Sequence, residues 1–275
     1  MIDTLTLAAD GLRSRVRISG DARQPTLMLL HDGAYGTDGD LCWGPVMPEL
    51  SSHFRLVVPD LVGWGGSDKI AYFDRSAYAS RLRQVASLCH TLGLEHGIFL
   101  AGVSFGAELA VRAAVEPEWG IRPRAVVSIS GTGGRLYRVN AAVSELGAYE
   151  PSPDSALKLT RSLTCDMPGI EAHAQRRYEL SLTPGHWEAL SASRLHNPAL
   201  PAAPADEGWL DRLGDVTAPI LFVEGRRDTL MERGWAEKMS IRVPGSSWRE
   251  IDGGHEPNLD HPSEVAQLIQ EFFRR

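Results

Sequence analysis

Short apolar runs recur along the chain: TLMLLH (residues 26–31), FRLVVPD (54–60), GIFLAGV (97–103), RAVVSIS (124–130) and PILFVEG (219–225). Runs of this length that do not alternate with polar residues predict strands buried on both faces, as in a parallel sheet. A sixth run, SWREID (247–252), is more polar and is predicted at a sheet edge. Helical periodicity lies between several of them. Tyr78, Leu82, Val85, Cys89 and Leu92 share one face, with Gly93 placed to end that helix. Val265, Leu268, Ile269, Phe272 and Phe273 make a second stripe, with Pro262 in its first turn. The opening MIDTLTLAADGLRSRVRISG alternates apolar and polar residues around Asp10-Gly11. It predicts a β-hairpin rather than a signal peptide, which needs a continuous apolar segment. Strands alternating with helices predict an α/β fold: a mostly parallel sheet with helices on both faces.

The alternation stops between residues 135 and 208. That stretch has helix-like segments, no clear strand and a Pro-rich exit, HNPALPAAPADEG. About 75 residues bounded by strands of one sheet read as an inserted lid rather than an independent domain. The expected organisation is a core of residues 1–134 and 209–275 carrying a helical cap of residues 135–208.

Composition narrows the function classes. The 275 residues carry a net charge of −7 with no basic stripe, which argues against a nucleic-acid partner. No apolar stretch approaches the roughly 18 residues of a membrane span. Three scattered cysteines, Cys42, Cys89 and Cys165, argue against a disulfide scaffold and fit a reducing, cytoplasmic setting.

The chemistry is read from the strand ends, where open α/β sheets gather their ligands. Gly102-Val103-Ser104-Phe105-Gly106 follows the third apolar run and has the G-x-S-x-G pattern of a nucleophile elbow. Asp228 follows PILFVEG and His255 follows SWREID. Singly, each has a plainer reading: a small residue at a helix start, a turn aspartate, a loop histidine. Together they stand at three strand ends in the order Ser, Asp, His. A serine hydroxyl is a weak nucleophile until a base takes its proton. His255 is that candidate base, and Asp228 the group that fixes its tautomer. Asp211, Asp215 and Asp252 are the rival acids. Among the other histidines, His53, His90 and His96 are expected on surfaces, and His173, His186 and His196 in the cap.

Acyl transfer also needs donors for the developing oxyanion. The backbone N–H of Phe105 is one candidate. Gly33, in the loop HDGAYGTDGD, is the other, because a residue without a side chain leaves its N–H accessible. His31 is expected to order this loop. Asp32, Asp38 and Asp40 with His31 match neither a calcium-loop nor a zinc spacing, and GWGGSD (63–68) does not complete a dinucleotide fingerprint. No metal and no cofactor is expected.

Over almost its full length the sequence resembles the α/β-hydrolase superfamily, and within it the meta-cleavage product hydrolases of the 2-hydroxymuconate-semialdehyde type. The segments that carry the resemblance are WGPVMPELSSHFRLVVPDLVGWGGSD, SFGAELAV, and in the cap YEPSPDSALKL (149–159) and RRYELSLTPGHWEALSA (176–192). The resemblance implies an α/β-hydrolase fold and hydrolysis of a carbon–carbon bond in a vinylogous diketone acid from ring fission. Ser104, Asp228 and His255 would form the triad. Arg177 would bind the acidic end of the substrate; without the resemblance it reads as a surface ion-pairing residue. Homo-oligomers are frequent in the family.

Three positions depart from the family pattern. Val103 stands where Asn precedes the nucleophile, Glu256 where Trp follows the histidine, and Asp32 where the loop is H-G-S-G-P-G. These departures leave the triad and put the substrate in question, since added acid repels an anionic dienoate. A carboxylesterase or lactonase on the same scaffold is the alternative. A ligand-binding receptor on a hydrolase scaffold is the second.

Overall fold

The computed structural model describes residues 2–94, 97–131, 136–192, 195 and 208–274. His96, His196, Arg135 and most of the Pro-rich exit lie outside the described residues. Among the described residues, eight strands form one sheet: β1 (Ile2–Ala9), β2 (Leu12–Ser19), β3 (Thr26–Leu30), β4 (Arg55–Pro59), β5 (Ile98–Val103), β6 (Pro123–Ile129), β7 (Ile220–Gly225) and β8 (Ser247–Ile251). Their order is β1-β2-β4-β3-β5-β6-β7-β8. β2 pairs antiparallel with both β1 and β4, and β3 to β8 run parallel to one another. The hairpin turns at Asp10-Gly11, both with positive φ (50° and 76°), the backbone that favours Asp-Gly there. The polar run at 247–252 is an edge strand, as its composition predicts.

The helices are α1 (Gly39–Trp43), α2 (Met47–Leu50), α3 (Ala77–Thr91), α4 (Phe105–Val115), α5 (Asn140–Gly147), α6 (Pro153–Leu163), α7 (Ile170–Ser181), α8 (His186–Ser191), α9 (Trp235–Arg242), α10 (Pro257–Asp260) and α11 (Pro262–Phe273). They cover both faces of the sheet because its central strands are apolar on both. In β3, Leu27 and Leu29 pack toward Trp43 and Phe273, while Met28 and Leu30 pack toward Leu82 and Leu109. After α3, Gly93 takes φ 66° and lets the Leu94 N–H return to Cys89 O at 2.7 Å, which closes the helix.

Two features of this topology position the site. The chain runs outward from β3 to β4 and then back across to β5, so the loops after β3 and β5 meet at a topological switch point. Helices α5 to α8 fall within the segment read as a cap. Tyr149, Ala156, Leu159 and Leu163 from that segment pack with Tyr35 and Leu230 of the core loops.

His186, fully buried at the start of α8, ties that segment to two core loops. Its Nδ1 donates to Gly63 O at 2.9 Å, and its Nε2 accepts the Gly36 N–H at 2.9 Å. Burial is the main force that lowers its pKa to about 4, with the Gly63 bond opposing. The unfolded imidazole titrates near 6.5, so between these values the unfolded chain holds a proton that the folded one lacks. Stability therefore falls as pH drops below about 6.5, with about 2 kcal/mol lost to this residue by pH 5. Denaturant unfolding at pH 7.5 and pH 5 is expected to show this loss in the wild type and to show it reduced in His186→Asn.

Candidate active site

Ser104 follows β5 in a strained backbone conformation, φ 51° and ψ −114°, immediately before α4. Its N–H is held by Ile129 O at 2.8 Å. So sharp a turn needs glycines on either side. A Cβ on Gly102 would lie 2.3 Å from Gly106 O, and one on Gly106 would lie 2.4 Å from both Leu30 O and His31 O. The strain lifts the serine out of the sheet, as the G-x-S-x-G spacing predicts.

The loops after β7 and β8 bring the other two groups to it. Arg226 N–H bonds to Ile251 O and Arg227 N–H to Gly253 O, at 2.8 and 2.9 Å, so the two loops run as one. A Cβ on Gly225 would meet Gly254 O at 1.9 Å, which is why the approach needs glycine. Asp260 anchors the second loop from below, accepting the Gly254 N–H at 2.7 Å and the Cys165 N–H at 3.0 Å.

His255 then stands between its partners. Its Nε2 is 2.9 Å from Ser104 Oγ, and its Nδ1 is 2.8 Å from Asp228 Oδ2. A carboxylate offers only acceptors, so the proton between them sits on Nδ1. That leaves Nε2 free to accept from the serine hydroxyl. Asp228 is fixed in turn by the Leu230 N–H, 2.7 Å from Oδ1. The rival acids lie elsewhere. Asp211 and Asp215 are exposed on the 3₁₀ segment Gly208–Asp215, and Asp252 pairs with Arg226 and Arg227.

A cavity of about 250 Å³ opens above Ser104 and His255. Gly33 and Phe105 line it beside the serine, and a Cβ on Gly33 would fall 2.8 Å from Phe105 Cβ. The two residues read as oxyanion donors are thus brought together, with Phe105 at the first turn of an 11-residue helix. Val143, Leu146, Leu163, Leu230 and Met231 supply the apolar wall.

His31 is fully buried and orders the loop, its Nδ1 donating to Asp32 O and its Nε2 accepting the Leu61 N–H. The acids of that loop are committed separately. Asp32 accepts from Ala34 N–H and Thr37 Oγ1, Asp38 caps α1 and pairs with Arg15, and Asp40 pairs with Arg17.

Arg177 lies on α7 and is 1 % exposed. The surface ion pair expected from its helical pattern is therefore replaced by a buried one. Its guanidinium donates to Tyr35 O at 3.0 Å and lies 3.7 Å from Glu256. Arg177 is absent from the cavity lining, whereas Glu256 is part of it. Burial, then the charge of Asp32, push the Glu256 carboxyl well above the usual carboxylate range, while Arg177 opposes them.

Sequence reasoning reads Tyr78 only as part of a helix face and assigns no site role to Tyr78, Glu108, Ser130 or Arg138, which also line the cavity. Arg138 donates to Tyr78 Oη at 3.0 Å and to Glu108 at 3.1 Å. Glu108 and Tyr78 fall on core-facing helical positions, and nothing in their spacing marks them. Ser130 was legible: it ends an apolar run at a strand tip, as Ser104 nearly does, and shares its positive φ of 51°.

The profile described as the alpha/beta hydrolase family matches residues 27–268. The chain is 26 % identical over 285 residues to the 2-hydroxymuconate semialdehyde hydrolase of Pseudomonas sp. (strain CF600), covering 97 % of this chain and 92 % of that protein. Among solved structures it superposes on the 2-hydroxy-6-oxo-6-phenylhexa-2,4-dienoate hydrolase of Rhodococcus sp. strain RHA1 with a TM-score of 0.83 at 21 % identity, covering 100 % of this chain and 99 % of that one. A carboxylesterase of Bacillus subtilis superposes with a TM-score of 0.78 at 20 % identity, covering 99 % and 92 %.

Proposed function

The chain belongs to the alpha/beta hydrolase family, and on that premise we propose that it hydrolyses a bond to a carbonyl carbon with Ser104 as nucleophile. The observation that carries this reading is the unbroken hydrogen-bond chain Ser104–His255–Asp228 beneath a cavity. Ser104 Oγ adds to the carbonyl carbon while His255 Nε2 takes its proton. The backbone N–H groups of Phe105 and Gly33 are the donors for the oxyanion that forms. His255 then returns the proton to the leaving group, and water releases the acyl group by the same steps in reverse. Asp228 stabilises the imidazolium at each stage.

The leaving group is carbon in the first reading. The likeness to 2-hydroxymuconate semialdehyde hydrolase across 97 % of the chain supports a carbon–carbon bond beside a ketone. A second reading, an ester or lactone, is favoured by one observation: Glu256 lies against Arg177 and occupies the cavity wall in its place. The guanidinium that a ring-fission acid would need is therefore already matched. Incubation with a ring-fission dienoate, its methyl ester, and a panel of short esters and lactones separates the two. Carbon–carbon cleavage of any member supports the first reading, and turnover of esters or lactones alone removes it.

A further inference from the structure

The cavity beside Ser104 carries acid that the proposed reaction does not use. Asp32 and Glu256 both line it and are 1 % and 0 % exposed. Arg177, the cation next to Glu256, stands behind the wall. Across the cavity Arg138 is held by Glu108 and Tyr78. Among the described residues, each guanidinium at the cavity is thus matched by a carboxyl group, and Asp32 is additional on the Ser104 side.

A second observation turns this from a cluster of acids into a binding feature. Neither carboxyl oxygen of Glu256 makes a hydrogen bond, although the side chain is wholly buried. With Arg177 at 3.7 Å as an ion-pair partner but no hydrogen bond, the buried carboxyl group is incompletely satisfied, and a ligand that brings a donor completes it. Glu256 lines the same cavity as Ser104 and His255, so such a ligand shares that cavity with the reacting carbonyl.

We propose that Asp32 and Glu256 set the substrate class: an uncharged carbonyl compound that offers an N–H or O–H donor to Glu256, with carboxylates excluded. The charge count gives the reason. Arg177 brings one positive charge and Asp32 one negative charge, the latter held by two donors. An ionised Glu256 makes the group net negative, and a protonated one leaves it neutral. A carboxylate entering either state is buried without a counter-ion, whereas an amide or alcohol adds no charge and satisfies the open acceptor. This selection rests on the hydrolase reading for the position of the carbonyl at Ser104.

Binding to the Ser104→Ala protein tests it without requiring turnover. The probes are 4-oxo-4-phenylbutanamide and 4-oxo-4-phenylbutanoate, which match in size and differ in charge and donor. Calorimetry at pH 7.5 is expected to give at least tenfold tighter binding of the amide. Adding Asp32→Asn and Glu256→Gln frees Arg177 and is expected to reverse the order. Should that variant fail to fold, Asp32→Asn alone is expected to narrow the preference at least threefold. Equal or tighter binding of the carboxylate by the Ser104→Ala protein, or a ratio that neither variant moves, overturns the proposal. A Ser104 inert toward fluorophosphonates would instead sink the hydrolase reading and leave the binding order standing.

Discussion

Asp228→Asn is expected to lower kcat by about four orders of magnitude on any substrate the protein turns over, with little change in KM. The fold of the variant should be intact, because the asparagine carbonyl still accepts the Leu230 N–H that now bonds Asp228 Oδ1 at 2.7 Å. What it loses is the acceptor for the imidazole Nδ1–H. The amide presents N–H to His255, favours the tautomer with the proton on Nε2, and so removes the base from Ser104. Steady-state kinetics with circular dichroism on the same sample check this. A variant that keeps near-normal rates would mean that the acid is misassigned; Asp211, Asp215 and Asp252 are not placed to substitute for it, because they are turned to solvent or to surface arginines.

Gly106→Ala is expected to destabilise the protein strongly for a single added methyl group. The new Cβ would lie 2.4 Å from the carbonyl oxygens of both Leu30 and His31, so α4 and β3 would have to separate. Backbone cannot rotate away as a side chain can, which puts the cost at the upper end of overpacking penalties, about 3 kcal/mol. The same displacement moves the Gly33 loop away from Phe105, so activity should fall with stability. Urea unfolding provides the measurement, and Gly214→Ala provides the control. Nothing lies within 4 Å of a Cβ there, and a change within about 0.5 kcal/mol is expected.

The legible parts of this protein are those written in local pattern. Unalternating runs marked the parallel strands because both faces of each are buried, and Gly-x-Ser-x-Gly marked the elbow because only glycine tolerates carbonyls at 2.4 Å or less. Chain order placed Ser104, Asp228 and His255 at three strand ends, and the sheet brings them within hydrogen-bonding distance. The illegible parts depend on contacts between distant segments. Arg177 has the sequence surroundings of an exposed helical residue, with Arg176 beside it and Glu179 two residues on. Its burial comes from Tyr35 and Glu256, 142 and 79 residues away in the chain. The Arg138–Glu108–Tyr78 cluster joins three separate segments, none of which carries a motif. Glu256 stood out in sequence only as a departure from a resembling family, and its pairing with Arg177 needed the fold to be seen.

The reactivity of Ser104 is the most direct measure of the central claim. Intact-mass spectrometry after treatment with a fluorophosphonate is expected to show a single adduct, mapped by peptide sequencing to Ser104. The adduct should form far more slowly in His255→Ala, because the hydroxyl then keeps its proton. A folded wild-type protein that stays unlabelled, or one labelled equally fast without His255, would contradict the account and favour a binding protein built on a hydrolase scaffold.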